Sequence, residues 1–272
     1  MPRLIIEAGR TEKHYWGDLW RYRELFYILA WRDVAVRYKQ TVAGALWTII
    51  QPLLTMLIFT VIFGRLAKLP DENVPYPLLV LAGMLPWQFF SASLSAASQS
   101  VVTNSNLISK VYFPRMIIPA GAVITAFVDF TISFVIMIAL MGWFHFWPSW
   151  RLLTLPLFMG VAFFAALGPG LLLTALTVRY RDVRFIIPFI VQFGLYVSPV
   201  GFSTLVVPEK WRIFYALNPM VGVIDGFRWA TLGGYARIHM QGFLVSGMVS
   251  LVMLVTGIFY FRKTERTFAD VI

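Results

Sequence analysis

Cysteine is absent from the chain, which excludes disulfides, thiol nucleophiles and cysteine metal sites. Histidine is nearly so: His14, His145 and His239 lie far apart and fit no metal-ligand spacing. Charge is scarce as well. At 13% of 272 residues, charged side chains are too few to cover the surface of a soluble domain of this length. Catalytic and nucleotide motifs are also missing: no G-x-S-x-G, no H-E-x-x-H, no close carboxylate pair in a pocket-like context and no P-loop G-x-x-x-x-G-K-[ST]. The chain offers no catalytic residue set and no metal site, and it cannot hydrolyse ATP by the P-loop route.

What is present is hydrophobicity, 59% of residues, gathered into six stretches that each hold no more than one ionisable side chain. They cover roughly 44–63, 77–101, 116–141, 152–177, 185–203 and 242–261. At about 1.5 Å rise per residue, a helix of some twenty residues crosses the ~30 Å hydrocarbon core of a bilayer. The expected fold is all-α and integral to the membrane, with six transmembrane helices. The first forty residues alternate charge with aromatics around no continuous apolar run, so they do not read as a signal peptide and are expected to stay with the mature chain.

Basic residues orient the spans. Six crossings place both termini on one side, and that side collects sixteen of the 23 lysines and arginines. The opposite side holds Arg65, Lys68, Arg151, Lys210, Arg212, Arg228 and Arg237. The positive-inside rule then puts both termini in the cytoplasm.

Three connections are larger than a turnaround requires. The N-terminal "LWRYRELFYILAWRDVAVRYKQ" (19–40) alternates arginines with aromatics, as an amphipathic helix lying in the membrane interface would. The cytoplasmic "NSNLISKVYFPR" (104–115) predicts a short helix capped by Asn104 or Ser105, with Leu107, Ile108, Val111 and Tyr112 on one apolar face and Pro114 ending it. With no core expected beneath it in this chain, that face needs a partner; the alternative is a helix lying on the bilayer. The external 204–240 stretch is punctuated by Pro208, by Asn218-Pro219 as a helix start, and by a glycine pair at 233–234 suited to a C-cap. It predicts a re-entrant helical hairpin in the outer leaflet, with Asp225 and Arg228 paired at i and i+3. Non-helical backbone at that depth is tolerated only where protein or water satisfies it, so the hairpin points to a path for water or a polar solute.

Polar residues within the spans are few. Asp129 is the one clear ionisable group, and such a group is costly unless it faces protein or water. It serves either as a relay or as a polar tie between helices; with no lysine, arginine or histidine inside the spans to continue a relay, the tie is favoured. Small residues repeat at i, i+4 spacing. Ala162, Ala166 and Gly170 mark the fourth span for close helix packing, whereas Ser91 and Ser95, with Ala92, Ala96 and Ser100, leave the second span open to packing or to a hydroxyl-lined conduit. Aromatics reach 17%, mostly interfacial belt and core. Trp47, Trp87, Phe90, Phe193 and Tyr196 lie inside spans, near prolines or polar residues, where ring faces could stack on sugars.

Six stretches in order carry a family resemblance: "RELFYILAWRDVAVRYKQTVAGALWTIIQPLL" (23–54), "SNLISKVYFPR" (105–115), "VRYRDVRFIIPF" (178–189), "YVSPVGF" (196–202), "LNPMVGVIDGFRWA" (217–230) and "YFRKTERTFADVI" (260–272). Together they resemble the transmembrane subunits of ABC-type polysaccharide exporters, the Wzm-like permeases that move O-antigen, capsule or teichoic acid chains. The resemblance implies a single exporter membrane domain over 1–272, with a cytoplasmic segment and gate helix in 1–43, a six-span core in 44–261 and a cytoplasmic tail in 262–272. It implies a homodimer in a bacterial inner (plasma) membrane, joined to two copies of a separate ABC ATPase that binds ATP and Mg. No cofactor is expected on this chain, and nucleic acid is not an expected partner. The implied substrate is a glycan linked to polyprenyl pyrophosphate.

Residue roles follow from the same resemblance. The 102–115 loop becomes the ATPase-coupling helix, through Asn106, Leu107, Ile108, Lys110, Val111, Tyr112, Phe113 and Arg115, with Arg181 and Asp182 of the 179–184 loop at the same face. The N-terminal helix becomes an entrance gate. Arg32, Arg37, Tyr38 and Lys39 are candidates for the phosphate head, since charge-assisted arginine contacts suit phosphate; basic residues there also anchor to anionic lipid. The channel lies between protomers, lined by the first, second and fifth spans, with Trp47, Trp87, Phe90, Ser91, Ser95, Phe193 and Tyr196 as candidates. The hairpin becomes the external gate, carrying Trp211, Asn218, Asp225 and Arg228. Alternatives are an ABC permease for teichoic acid, a drug or a small lipid, a cation-coupled carrier using Asp129, and a membrane glycosyl- or acyltransferase.

Overall fold

Apolar runs of this length must satisfy their backbone polar groups internally, and the helix is the local way to do so. The computed structural model describes residues 15–39, 42–70, 74–233 and 238–268, and among these it has eleven α-helices and no strand. His14, Gly234, Arg237 and the tail beyond Phe268 lie outside the described residues.

The N-terminal segment forms α1 (Tyr15–Arg21) and α2 (Arg23–Lys39), joined through Tyr22, whose N–H donates to the Asp18 carbonyl at 2.9 Å. Next come α3 (Val42–Phe59), widened at its end by a π-helical stretch over Thr60–Leu66, and α4 (Tyr76–Thr103). The single turn α5 (Ser105–Ile108) leads to α6 (Ile117–Trp143), and a 3-10 turn at Trp150–Thr154 leads to α7 (Leu155–Arg179). After these run α8 (Val183–Val197), α9 (Glu209–Tyr215), α10 (Pro219–Thr231) and α11 (Met240–Thr264).

Five helical segments, at 46–66, 76–103, 117–143, 150–179 and 240–267, are long and apolar enough to cross a membrane. They coincide with five of the six predicted spans. The predicted fifth span, 185–203, differs. Its helix α8 has 15 residues, about 22 Å, short of a ~30 Å core. The reason is Pro199, which disfavours helical geometry at the residue before it; Ser198 is extended, with φ −92 and ψ 151. From there to Ser203 the chain proceeds in turns and bends.

The bundle is organised around α4, which packs against α6, α7 and α10. Leu78, Leu81, Leu85 and Phe89 of α4 share one core with Phe130 and Met137 of α6, Ala162 of α7 and Phe227 of α10. Small residues set the spacing, as expected for the fourth span: Ala162 and Ala166 are buried, and Gly170 lies against Ala97 of α4. Close approach is greatest between α7 and α11, where a Cβ on Gly257 would fall 2.1 Å from the Gly168 carbonyl oxygen. Between helices in lipid this contact is favoured by packing rather than by release of water. On α4 the fully enclosed hydroxyls are Ser93 and Ser98, whereas Ser91 and Ser95 are half-buried.

A second core closes one end of the bundle. It joins Tyr15 and Leu29 to Val101, Ile108, Phe113, Met116, Val178, Phe261 and Phe268, so the first and last described stretches and the 104–115 segment share it.

Candidate functional site

The first candidate region is the N-terminal helix α2. α2 buries Leu29 and Ala30 and leaves Tyr27, Ile28, Trp31 and Val36 exposed. A Cβ on Gly121 of α6 would lie 3.9 Å from the Ala30 amide nitrogen. Seven residues further along α2, Arg37 Nη2 stands 2.9 Å from Asp129 Oδ2, and the Tyr38 hydroxyl donates to Asp129 Oδ1. Between these contacts both helices advance by seven or eight residues, about 11 Å, in the same direction. α2 therefore runs alongside α6 in the same direction. Asp129 is about 18 Å along α6 from Ile117.

This joint has a third member. Thr48 of α3 hydrogen-bonds the Tyr38 oxygen, so α3 joins α2 and α6 through Tyr38. Burial, then the hydrogen bond to Asp129, pushes the Tyr38 pKa up to about 12, which keeps the phenol a neutral donor. Asp129 is thus a tie between helices. Arg32 points elsewhere, holding Asp33 Oδ1 at 2.7 Å and Asn104 Oδ1 at 2.8 Å, while Lys39 is exposed.

The 104–115 segment turns helically as far as Val111, whose N–H donates to the Leu107 carbonyl at 3.0 Å. Two expectations for it change. Asn104 does not cap with its side chain; its Nδ2 donates back to the Ser100 carbonyl at 2.8 Å, and its Oδ1 accepts from Arg32. The apolar face also divides. Ile108 and Phe113 are buried and Leu107 half-buried in the second core, whereas Val111 and Tyr112 stay exposed. A core does lie beneath this segment, because the N-terminal helices and the C-terminal turn supply it. Arg115 donates to the Glu265 carbonyl, and the Tyr15 hydroxyl donates to Glu265 Oε2 at 3.0 Å. Burial, then the Glu265 charge, raises the Tyr15 pKa, while the Arg262 guanidinium sits 4.4 Å from the ring centre. Asn106 and Lys110 are exposed, as are Arg181 and Asp182, which follow Val178 of the same core.

At the other end stand the short helices α9 and α10. Asn218 caps α10 as its position predicted, accepting from the Met220 N–H at 3.0 Å with Pro219 at the first helical position. Its Nδ2 also donates to Ser198 Oγ at 2.9 Å. Gly233 takes φ +68 beyond the last turn, the left-handed geometry of a helix stop. α10 is buried among α4, α7 and α11 along nearly its whole length.

Arg228 is central to this end. Only 1% exposed, it donates from Nε to the Leu79 carbonyl at 3.1 Å, from Nη1 to Phe202 at 2.8 Å and from Nη2 to Val200 at 2.8 Å. Two of these carbonyls belong to the stretch freed where Pro199 ends α8, and the Tyr76 hydroxyl takes a third carbonyl there, Gly201, at 2.7 Å. Gly83 leaves room for the guanidinium, since a Cβ on it would fall 2.5 Å from Nη2. The carbonyl partners of Arg228 were not among the sequence expectations. The signal was Ser198-Pro199 itself, a helix break within an apolar run whose backbone acceptors need donors. Asp225 accepts from Thr204 Oγ1 at 2.8 Å. Beside it, Arg212, Tyr215 and His239 help to line a cavity of about 160 Å³, and burial followed by the Asp225 charge raises the Tyr215 pKa. Trp211 is exposed on α9.

The predicted channel residues fall into three groups. Trp47 on α3 and Phe193 and Tyr196 on α8 are exposed, Phe90, Ser91 and Ser95 on α4 are half-buried, and Trp87 is buried against Phe90 and Gly194. Both α3 and α8 border α4 yet leave most of their surface uncovered; on α8 only Ile187 is buried.

A bundle of apolar helices around α4, with the short helices α9 and α10 at one end and both described chain ends gathered at the other, is a polytopic membrane protein. The chain belongs to the ABC-2 type transporter family, whose pattern matches residues 24–232. Over 256 residues it is 27% identical to the O-antigen export system permease protein RfbA of Myxococcus xanthus, covering 93% of this chain and 97% of that one. A Klebsiella pneumoniae protein of the same name is 26% identical over 250 residues, covering 92% and 95%. The polysialic acid transport protein KpsM of Escherichia coli is 22% identical over 241 residues, covering 86% and 91%. The similarity is thus to transport permeases along nearly their full length.

Proposed function

We propose that this chain is the membrane-spanning permease of an ATP-driven exporter that moves a lipid-linked polysaccharide across a bacterial inner membrane. Two copies form the channel between them, and a separate ABC ATPase, also in two copies, binds ATP and Mg and drives transport. The observation that carries this reading is the uncovered flank of α3 and α8. In a chain akin to O-antigen and polysialic acid transport proteins along most of its length, that flank presents Trp47, Phe193 and Tyr196 beside the half-buried Phe90, Ser91 and Ser95 of α4. Ring faces offer a sliding glycan flat, repeatable contacts, and a second copy facing this flank encloses them in a conduit.

The remaining parts take roles consistent with that reading. α8 makes the fifth of six crossings as a short helix completed by 198–203, and the α9–α10 hairpin closes the external end. Both termini are cytoplasmic, by the distribution of lysine and arginine. Arg37 and Lys39 receive the phosphate head of the substrate, while the Tyr38 hydroxyl stays on Asp129. Exposed Asn106, Lys110, Val111, Tyr112, Arg181 and Asp182 meet the ATPase, while Leu107, Ile108, Phe113 and Arg115 pass its movement to the core behind them. The test uses the assembled complex. Replacing the catalytic glutamate of the partner ATPase is expected to stop delivery of the glycan to the cell exterior; delivery that continues overturns the proposal.

A further inference from the structure

Arg37 and Asp129 form the ion pair that fastens α2 to α6, and their surroundings are unequal. The Arg37 side chain is 49% exposed and Asp129 15% exposed. An anion can therefore reach Arg37 from its open side while Asp129 stays backed by α6. Asp129 also has a second donor, the Tyr38 hydroxyl, held in turn by Thr48. If Arg37 leaves, the carboxylate keeps a hydrogen bond, and its burial is not left without compensation. Lys39, two residues beyond Arg37, is exposed and adds positive charge on the same helix.

We infer that Asp129 is a displaceable counter-ion, which holds Arg37 while the entrance is empty and yields it to the diphosphate of an arriving lipid-linked substrate. The inference rests on the head-group role proposed above and names the residue that regulates it. A guanidinium beside the middle of a span is costly without a partner, so an empty entrance needs a carboxylate there. A diphosphate carries more charge than a carboxylate and accepts arginine's paired N–H groups in bidentate fashion, so it competes well for Arg37. The exchange breaks the α2–α6 ion pair but leaves the Tyr38–Asp129 contact, so α2 loosens at one residue while the joint to α3 persists. Asp129 thereby sets how strong an anion must be to open the entrance.

The test is equilibrium binding of farnesyl diphosphate to the full-length permease, co-purified with its ATPase in lipid nanodiscs. Inorganic pyrophosphate serves as the tail-free probe. Asp129→Asn removes the competitor and is expected to tighten farnesyl diphosphate binding about tenfold, the scale of one charge-assisted contact. Arg37→Gln is expected to weaken binding and, added to Asp129→Asn, to erase the gain. Tyr38→Phe keeps the ion pair and is expected to leave affinity within about twofold of wild type. A gain with farnesyl diphosphate alone assigns the site to a lipid head, and a gain with both probes assigns it to the diphosphate itself; either supports the inference. Should Asp129→Asn and Tyr38→Phe weaken binding alike, the carboxylate is only a structural tie and the inference is overturned. It is overturned equally if Arg37→Gln weakens binding but Asp129→Asn brings no gain. Binding that ignores Arg37→Gln rejects the head-group role beneath it instead.

Discussion

Arg228 and Arg37 both lie against apolar helices, and they are held in opposite ways. Arg228 is 1% exposed and spreads its donors over three backbone carbonyls from two separate segments. Arg37 is half-exposed and pairs with the Asp129 carboxylate. Backbone carbonyls cannot rotate away without unfolding the segment that carries them, whereas a carboxylate can release a cation and keep another hydrogen bond. The first arrangement makes a staple and the second a movable contact. Helix burial follows the same division: α4 buries 72% of its most apolar stretch, and the α3 segment buries 6%. The fixed part of the molecule is the α4–α7–α10 core, and the parts left for exchange or assembly are α2, α3 and α8.

The strongest way to break this comparison is Arg228→Ala. It leaves the Leu79, Val200 and Phe202 carbonyls facing a void, and an unsatisfied buried polar group costs about 1–3 kcal/mol. The expected loss is about 3–5 kcal/mol, enough to remove the monodisperse protein peak in detergent. Arg228→Lys keeps the charge but cannot span three acceptors, so an intermediate loss is expected. If Arg228→Ala melts at the wild-type temperature, the staple does not exist and the contrast with Arg37 fails.

The second comparison lies inside one loop. Ile108 is buried and Tyr112 is exposed, four residues apart. Ile108→Asp puts an unpaired charge into the core shared by Tyr15, Phe113 and Phe268, and a loss of several kcal/mol in thermal stability is expected. Tyr112→Asp is expected to change stability by no more than about 0.5 kcal/mol, as surface substitutions do, while ATP turnover separates from export. If the two variants behave alike in both assays, the loop has no inner and outer face.

The sequence showed some of this and hid the rest for identifiable reasons. Five spans were legible because charge is excluded from long windows, and the α10 start was legible because Asn218-Pro219 carries its own capping chemistry. The end of α8 was not, since Val200 and Phe202 extend the apolar run while Pro199 interrupts the backbone within it. The division of the 104–115 face was hidden because the core beneath it comes from Tyr15 and Phe268, at opposite ends of the chain. Asp129 was legible as a tie, but its partners Arg37 and Tyr38 were not, because their meeting depends on α2 packing alongside α6. The carbonyls that Arg228 takes were hidden for a related cause: i and i+3 spacing points to a neighbour on the same helix, and says nothing about carbonyls released on another.

The smallest effect on stability is expected on the uncovered flank, and there assembly is the better measurement. Because the chain has no cysteine, one introduced thiol reports a single position. Tyr196 on α8 and Met248 on α11 are similarly exposed, at 64% and 70%, so exposure alone predicts equal behaviour. The proposed dimer predicts a difference. Oxidation in native membranes is expected to link Tyr196→Cys, or Trp47→Cys on α3, into a disulfide dimer and to leave Met248→Cys monomeric on non-reducing gels. A disulfide requires Cα atoms within about 7 Å, so a positive result also locates the flank near the two-fold axis. Efficient linkage at Met248 with none at Tyr196 or Trp47 would move the protomer interface to α11 and leave the aromatics of α3 and α8 facing lipid.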